Sequence, residues 1–320
     1  MRSLARGLEG LLGAGVLGAA VLIAGCGGAV ALAPDADVGP RDASVPVTCD
    51  EFSPGVELGR VAPLALAEIS GIAASRAHEG VLWVHNDSGG GARLFAIDVA
   101  GALLGEWVLE GASDVDWEDI AIEPVEGGAD RLWIADLGDN AARERVGTPR
   151  EFVVVLRADE PALAAGVTSV MSFDSIVLRY PERPRDCEAI AVDPQSGDLY
   201  LFAKETVGAS DVFVARAPLV AGEERVLERI TVIDTGSMVT AADLSPDGRE
   251  LLVRTYRSVL WWRRGESETW AASLARDPRH LPRAPEPQGE AVAFARDREG
   301  YFTISEGTNA PVWFYQRHCE

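Results

Sequence analysis

Lysine is almost missing from this chain of 320 residues. Of 29 basic residues only Lys204 is a lysine, and the rest are arginine. Arginine holds its proton too firmly for nucleophilic or proton-transfer chemistry, so such chemistry from a basic side chain is confined to one position. Histidine is nearly as scarce. His78, His85, His280 and His318 lack metal-ligand spacing, and only His85 lies near a candidate site. There is no GxSxG elbow, no HExxH and no P-loop, so no standard serine-hydrolase, zinc-protease or NTP-binding constellation is present. Amphipathic crossover helices are lacking as well. The best helical stretch, ADEPALAAGV, is short and broken by Gly, which excludes a parallel α/β fold. Positive charge is in deficit: 50 acids face 29 bases, for a formal net charge of −21. Such a surface repels phosphate backbones and sets nucleic acid aside as a partner. It attracts cations, and it is also a common device for solubility.

What the chain does contain is 33 Gly and 18 Pro, spread throughout, which suits many turns. The N-terminus carries Arg2 and Arg6 ahead of the apolar run LLGAGVLGAAVLIAG. A charged n-region before a short apolar h-region reads as a secretory signal over residues 1–25. It ends in LIAGC, residues 22–26, which resembles the lipobox of bacterial lipoproteins. That resemblance implies cleavage before Cys26, lipidation of Cys26, and an extracytoplasmic protein anchored to a bacterial membrane. Residues 26–48, rich in Gly, Ala, Pro and Asp without a period, read as a flexible tether. The remainder, residues 49–320, is the folded part.

Within it one unit recurs. Five segments align on a short apolar strand: SGIAAS from Ser70, EDIAIEP from Glu118, EAIAVDP from Glu188, TAADLSP from Thr240 and EAVAFAR from Glu290. Their starts lie 48, 70, 52 and 50 residues apart. Second strands follow (VLWVHND, RLWIADL, DLYLFAK, ELLVRTY, YFTISEG), then third strands, then fourth strands in LLGEWVLE, DSIVLRY, ERITVID and, weakly, TWAASLA. Three or four strands per unit at a period near 50 predict an all-β propeller. The last unit stops after its third strand, while GVELGRVAPLA near the start has no unit of its own. Pairing the two closes a ring of five four-stranded blades, the alternative being six blades with one hidden in the 70-residue interval. Cysteine usage agrees. Cys49 begins the closing strand and Cys319 ends the last blade, so a Cys49–Cys319 disulfide would lock the ring in an oxidising compartment. Cys187 is left over as an inert thiol.

The pieces EISGIA, NDSGG, DWEDIA, LGDN, CEAIAVDPQSGDLYLFAKE, VTAADLSPDGRELLVRTY and QGEAVAF together resemble a family of secreted bacterial β-propeller proteins, over nearly all of residues 66–307. More loosely, the chain is similar to propellers with phytase-associated esterase-like activity and to secreted propellers with an ELSGL opening repeat. That looser likeness implies calcium and ester or phosphoester chemistry. The chain departs from phytases in lacking a basic phosphate-binding cluster.

In a propeller the innermost strands line the axis, so Ser70, Glu118, Glu188, Thr240 and Glu290 should converge there. Carboxylates so placed repel one another unless protonated or neutralised, and carboxylates and hydroxyls are ligands of the kind Ca²⁺ takes. Glu118, Glu188 and Glu290 are therefore the candidate metal ligands, supported by Ser70 and Thr240 and by Glu68, Asp116 and Asp186 two residues earlier. The competing reading makes them acceptors of backbone N–H bonds between blades. A second set follows the second strands: Asn86 and Asp87, Asp136, Asp139 and Asn140, Lys204 and Glu205, Arg254, and Glu306 and Asn309. These suit a ligand-binding rim, though Asn, Asp and Gly also populate turns for backbone reasons alone. The Trp261–Trp262 pair should put one ring inward and the other outward as an exposed patch. The leading expectation is a membrane-tethered, monomeric propeller that binds a ligand or protein on one face, with calcium at the axis. The alternative is a metal-dependent hydrolase of an ester, lactone or phosphoester, in which Asp116 or Asp139 activates water. A third reading is a purely structural surface protein.

Overall fold

The computed structural model describes residues 49–88, 90–163, 168–204 and 208–319. Cys26, the leader, the tether and Glu205 lie outside the described residues. Two short strands come first, β1 (Glu51–Phe52) and β2 (Val56–Arg60). Blade 1 follows with β3 (Ile69–Ala74), β4 (Val81–Asn86), β5 (Arg93–Asp98) and β6 (Leu103–Val108). Blade 2 comprises β7 (Trp117–Glu123), β8 (Arg131–Asp136), helix α1 (Asn140–Glu144), β9 (Val153–Asp159), the excursion β10 (Thr168–Val170) and β11 (Asp174–Arg179). Blade 3 has β12 (Cys187–Val192), β13 (Leu199–Ala203), β14 (Ala209–Ala215), the excursion β15 (Glu224–Val226) and β16 (Glu228–Asp234). Blade 4 has β17 (Val239–Leu244), β18 (Glu250–Thr255), β19 (Val259–Arg263), helix α2 (Trp270–Ser273) and β20 (Arg279–Leu281). Blade 5 ends the chain with β21 (Gly289–Phe294), β22 (Gly300–Ser305) and β23 (Pro311–His318).

The blade strands pair antiparallel within each of five sheets, and the five sheets form a five-bladed propeller. The five expected inner strands are β3, β7, β12, β17 and β21. The ring closes as expected: β2 pairs with β23 through Val56 opposite Phe314, and β1 pairs with β23 through Glu51 opposite His318. Cys49 and Cys319 form the disulfide across this seam. Arg317 in β23 donates Nη1 to the Cys49 carbonyl (3.0 Å) and to the buried Glu250 in blade 4 (3.0 Å), which Arg263 also reaches at 2.9 Å. Both chain ends are thereby tied to a third point of the ring.

The core is divided into five apolar wedges, one between each pair of neighbouring blades. Both faces of every blade are therefore covered, and the inner strands read as near-continuous apolar runs. This corrects the expectation for the tryptophan pair. Trp261 packs toward blade 5 and Trp262 toward blade 3, and both are buried. A second correction concerns blade 4. TWAASLA holds the short helix α2, capped by Thr269, and the outer strand is β20 instead. The long 70-residue interval holds no sixth blade. It is taken up by the excursion carrying α1 and by β10, which returns to pair in parallel with β6 of blade 1. β15 covers β11 of blade 2 in the same way. These fifth strands pair sheet edges that would otherwise be open.

Candidate functional site

The same irregularity occurs between the first two strands of all five blades. Pairing slips between Ile69 and Gly71, Trp117 and Asp119, Cys187 and Ala189, Val239 and Ala241, and Gly289 and Ala291. One extra residue is bulged out each time, and those residues are Ser70, Glu118, Glu188, Thr240 and Glu290. A β-bulge re-aims a side chain and bends its strand, which is how an apolar strand comes to present a carboxylate at its end. The residue just past each second strand is fixed by an equivalent backbone bond. Asp87 N–H donates to Glu68 O (2.9 Å), Leu137 to Asp116 O (3.1 Å), Lys204 to Asp186 O (2.9 Å), Tyr256 to Met238 O (3.2 Å) and Glu306 to Gln288 O (2.9 Å). Three rings of equivalent positions are thus stacked at one end of the propeller.

Together they line a cavity of about 80 Å³ bounded by Glu68, Ser70, Asp87, Glu118, Asn140, Glu188, Lys204, Tyr256, Gln288, Glu290 and Glu306, with the Ile69 backbone completing the wall. Six carboxylates share it with one ammonium. Such a volume holds an ion with a few waters or one small polar group, and a bulky organic ligand does not fit inside. Lys204 is seated in the bowl, with Nζ 2.7 Å from Glu188 Oε1 and 5.3 Å from the Tyr256 ring centre. The chain's single lysine is therefore an internal counter-ion to the axial acids. Burial would lower its pKa, but Glu188 overrides this and the pKa ends above the usual lysine value.

Burial is the main reason that Glu290, Asp87, Glu118 and Glu188 are all raised in pKa. Burial pushes Glu290 up to about 8, helped by the charge of Glu188. Burial and the neighbouring Asp116 push Asp87 up to about 7. Glu118 is raised well above the usual carboxylate range by burial and by Glu188, Asp87 and Asp116. Burial also raises Glu188, against the pull of Lys204. Glu290 is only 6% exposed, and its Oε1 accepts from Gln288 at 2.9 Å. Its Oε2 has no hydrogen-bond partner among the described residues.

Not every expected residue belongs to this site. Ser70 donates to the Glu118 carbonyl (2.6 Å) and Thr240 to the Gly289 carbonyl (2.9 Å), so these hydroxyls join neighbouring blades. Asp136 accepts from Asp116 N (3.1 Å) and Arg150 Nη1 (2.8 Å) and is fully buried. Asp139 caps α1 through Ala142 N (3.0 Å) and accepts from Arg150 N (2.7 Å). Both its oxygens are engaged in holding local backbone. Asn86 braces the loop before β3 by donating Nδ2 to Ala65 O (2.6 Å). Asn309 has a positive φ of 58° and makes a turn. Arg254 is not on the rim: it is fully buried between blades 4 and 5, paired with Glu286 at 2.6 Å. Gly289 leaves it room, because a Cβ there would collide with the guanidinium. Asp186 is spent on Asp139 N (2.7 Å) and Arg143 Nη1 (2.6 Å).

Tyr256, Gln288 and Arg143 are contributors that the sequence reading omits. Tyr256 stands one residue past its second strand, in the column occupied by Asp87, Lys204 and Glu306, so aligning the strand ends would have found it. In that column blade 2 carries Leu137, which turns into the core, and Asn140 from α1 enters the bowl in its place.

Beneath the bowl the axis is closed by Asp119. Inner strands are sheet edges whose N–H groups face the channel, and buried N–H groups need partners. Asp119 accepts from Ile120 N (2.9 Å), Ile190 N (2.9 Å) and Ala242 N (3.0 Å), uniting blades 2, 3 and 4. Asp243 does the same for Phe294 N of blade 5 at 2.7 Å. The interblade role considered for the ring acids is thus carried by these deeper aspartates.

No family model matches the chain, and no curated protein matches it. Among solved structures, the chain is similar to one in the crystal structure of a mitotic checkpoint complex, at 14% identity and a TM-score of 0.39, covering 77% of this chain and 62% of that one. It is also similar to Raptor from Chaetomium thermophilum, at 10% identity and a TM-score of 0.43, covering 84% of this chain and 29% of that one. The chain spans less than two thirds of the length of either.

Proposed function

We propose that the protein is a lipid-tethered, extracytoplasmic propeller that binds a ligand or a protein partner on the face carrying the acidic bowl, with a hard cation such as Ca²⁺ seated in that bowl. The observation that carries the reading is the five-fold repeated bulge, which turns three glutamates of otherwise apolar strands into one open bowl. Three buried carboxylates raised in pKa are unstable as anions unless a cation joins them, and Lys204 supplies one charge against six. The Gln288 amide and Asn140 side chain add neutral oxygens of the type Ca²⁺ accepts. Residues 1–25 serve as the signal, Cys26 as the lipid acceptor and residues 26–48 as the tether. Because each copy closes its own ring, the monomer is complete.

The resemblance to esterase-like propellers keeps a metal-dependent hydrolase as the second reading. Of its two proposed bases, Asp116 and Asp139, the second also caps α1. A screen against ester, lactone and phosphoester substrates, with and without chelator, decides between the two.

The cation reading is tested by thermal melting of the full chain in detergent. Calcium at about 100 times its Kd contributes about 2.7 kcal/mol to stability, which corresponds to a rise of roughly 6 °C over chelator. Glu118→Gln should lose most of that rise. An identical melting temperature in calcium and in chelator for the unaltered chain contradicts the reading.

A further inference from the structure

Two triads of carboxylates in and around the bowl bring their oxygens close enough to share one ion: Asp87, Asp116 and Glu118, and Glu118, Asp186 and Glu188. Within each triad the ligand atoms lie within 4.8 Å of one another. Two oxygens each about 2.4 Å from a calcium ion are separated by at most twice that distance, so both triads pass on geometry. They differ in what already satisfies them. In the second triad Asp186 accepts from Asp139 N and from Arg143 Nη1, and Glu188 holds Lys204 at 2.7 Å. Two of its three negative charges are already matched by cations of the chain itself. In the first triad no Lys, Arg or backbone N–H bonds the carboxylates of Asp87, Asp116 or Glu118 among the described residues.

We propose that a divalent cation of the calcium class binds off the axis, on Asp87, Asp116 and Glu118, and not symmetrically on Glu118, Glu188 and Glu290. This deepens the cation reading above and rests on it. One further observation fixes the triad's oxygens and another points to an occupant. Gly138 packs directly against Glu118 Oε1 and Asp116 Oδ2, and a Cβ at that position would collide with both, so only glycine lets these two oxygens stand where they do. Glu290, more than nine-tenths buried on the wall of the same cavity, leaves Oε2 without a partner. Three carboxylates supply fewer oxygens than the six to eight that calcium takes. Waters in the cavity complete the shell, and Glu290 accepts from one of them. Lys204 takes the opposite side of the bowl and blocks a second cation there.

Isothermal titration of the full chain in detergent with calcium chloride, after stripping with chelator, tests this placement. One site is expected. Asp87→Asn should weaken it at least 20-fold, and so should Gly138→Ala, which inserts a methyl group without altering any ligand. Circular dichroism and melting in chelator identify any variant that fails to fold, and Gly138→Ala and Asp87→Asn fail by different routes. Wild-type affinity in both variants overturns the triad while leaving the cation reading intact. So does a large loss in Glu188→Gln with none in Asp87→Asn, which would seat the ion on the axial glutamates. A wild-type chain that binds no calcium overturns the cation reading and the triad together.

Discussion

Replacing Cys319 by Ser should lower the melting temperature of the full chain by roughly 10 °C, and reducing the wild-type disulfide should do the same. The bridge joins residues 270 apart in sequence and spans nearly the whole ring. By chain entropy a loop of that size contributes about 5 kcal/mol, by restricting the unfolded ensemble, and a domain of this size loses roughly 2 °C per kcal/mol. The seam it guards joins β1 and β2 to blade 5 along the edge of β23. Arg317 and Glu250 still hold the seam after reduction, so the expected result is a lower melting temperature with the same cooperative transition. Cys49→Ser should match Cys319→Ser, and the double variant should add nothing, since both remove one bond. Cys187 is buried and its thiol is pushed up to about 12 by burial, so it will not interfere by exchange. A fall below 2 °C would mean that the sheet pairing alone closes the ring.

In chelator, raising the pH from 6.5 to 8.5 should destabilise the protein by about 3 to 4 kcal/mol, read from denaturant midpoints at each pH. Glu290 stands at about 8 in the fold against 4.5 for the free group, and Asp243 and Asp87 at about 7 against 3.8, all chiefly through burial. Between its unfolded and folded values each group binds more protons in the native state. Stability is then greatest below the unfolded value and is lost as the pH rises through the folded one. His85 works in the opposite direction. Burial lowers it to about 4 from 6.5, so its contribution is lost as the pH falls through that range. The window above pH 6.5 isolates the acids. Saturating calcium should flatten the slope there, since the ion replaces the protons that neutralise the bowl. A flat profile in chelator would show that the bowl carries its charge without penalty.

The architecture was legible because its signal is repeated. The pattern of Glu118–Pro124 recurs around Glu188 and Glu290, and short apolar strands with Gly-rich turns at a near-constant period leave few alternatives to a propeller. The missing outer strand of the last unit and the position of Cys319 disclosed the closure. The helix in TWAASLA was hidden, because four residues capped by Thr269 carry no period of their own. The site was legible by column and not by side chain. Placing Glu118, Glu188 and Glu290 in one ring was right, but a bulge has no sequence signature, and it is the bulge that turns these residues into the cavity. Asp136, Asp139 and Arg254 looked like rim residues because they are polar and close a strand. Their partners, Arg150, α1 and Glu286, come from distant or irregular segments that no local pattern discloses. Lys204 drew notice for its rarity, yet only the fold shows that its charge is spent on Glu188.

Uptake of a cation by the bowl at the bulged ends of β7, β12 and β21 is the central property to measure. Equilibrium dialysis of the full chain against calcium at pH 7.5, followed by elemental analysis, measures this directly. One equivalent per chain in the wild type, and far less than one in Glu118→Gln, is the expected result. A chain that emerges with no calcium above the dialysis buffer, correctly folded and with its disulfide intact, would contradict it.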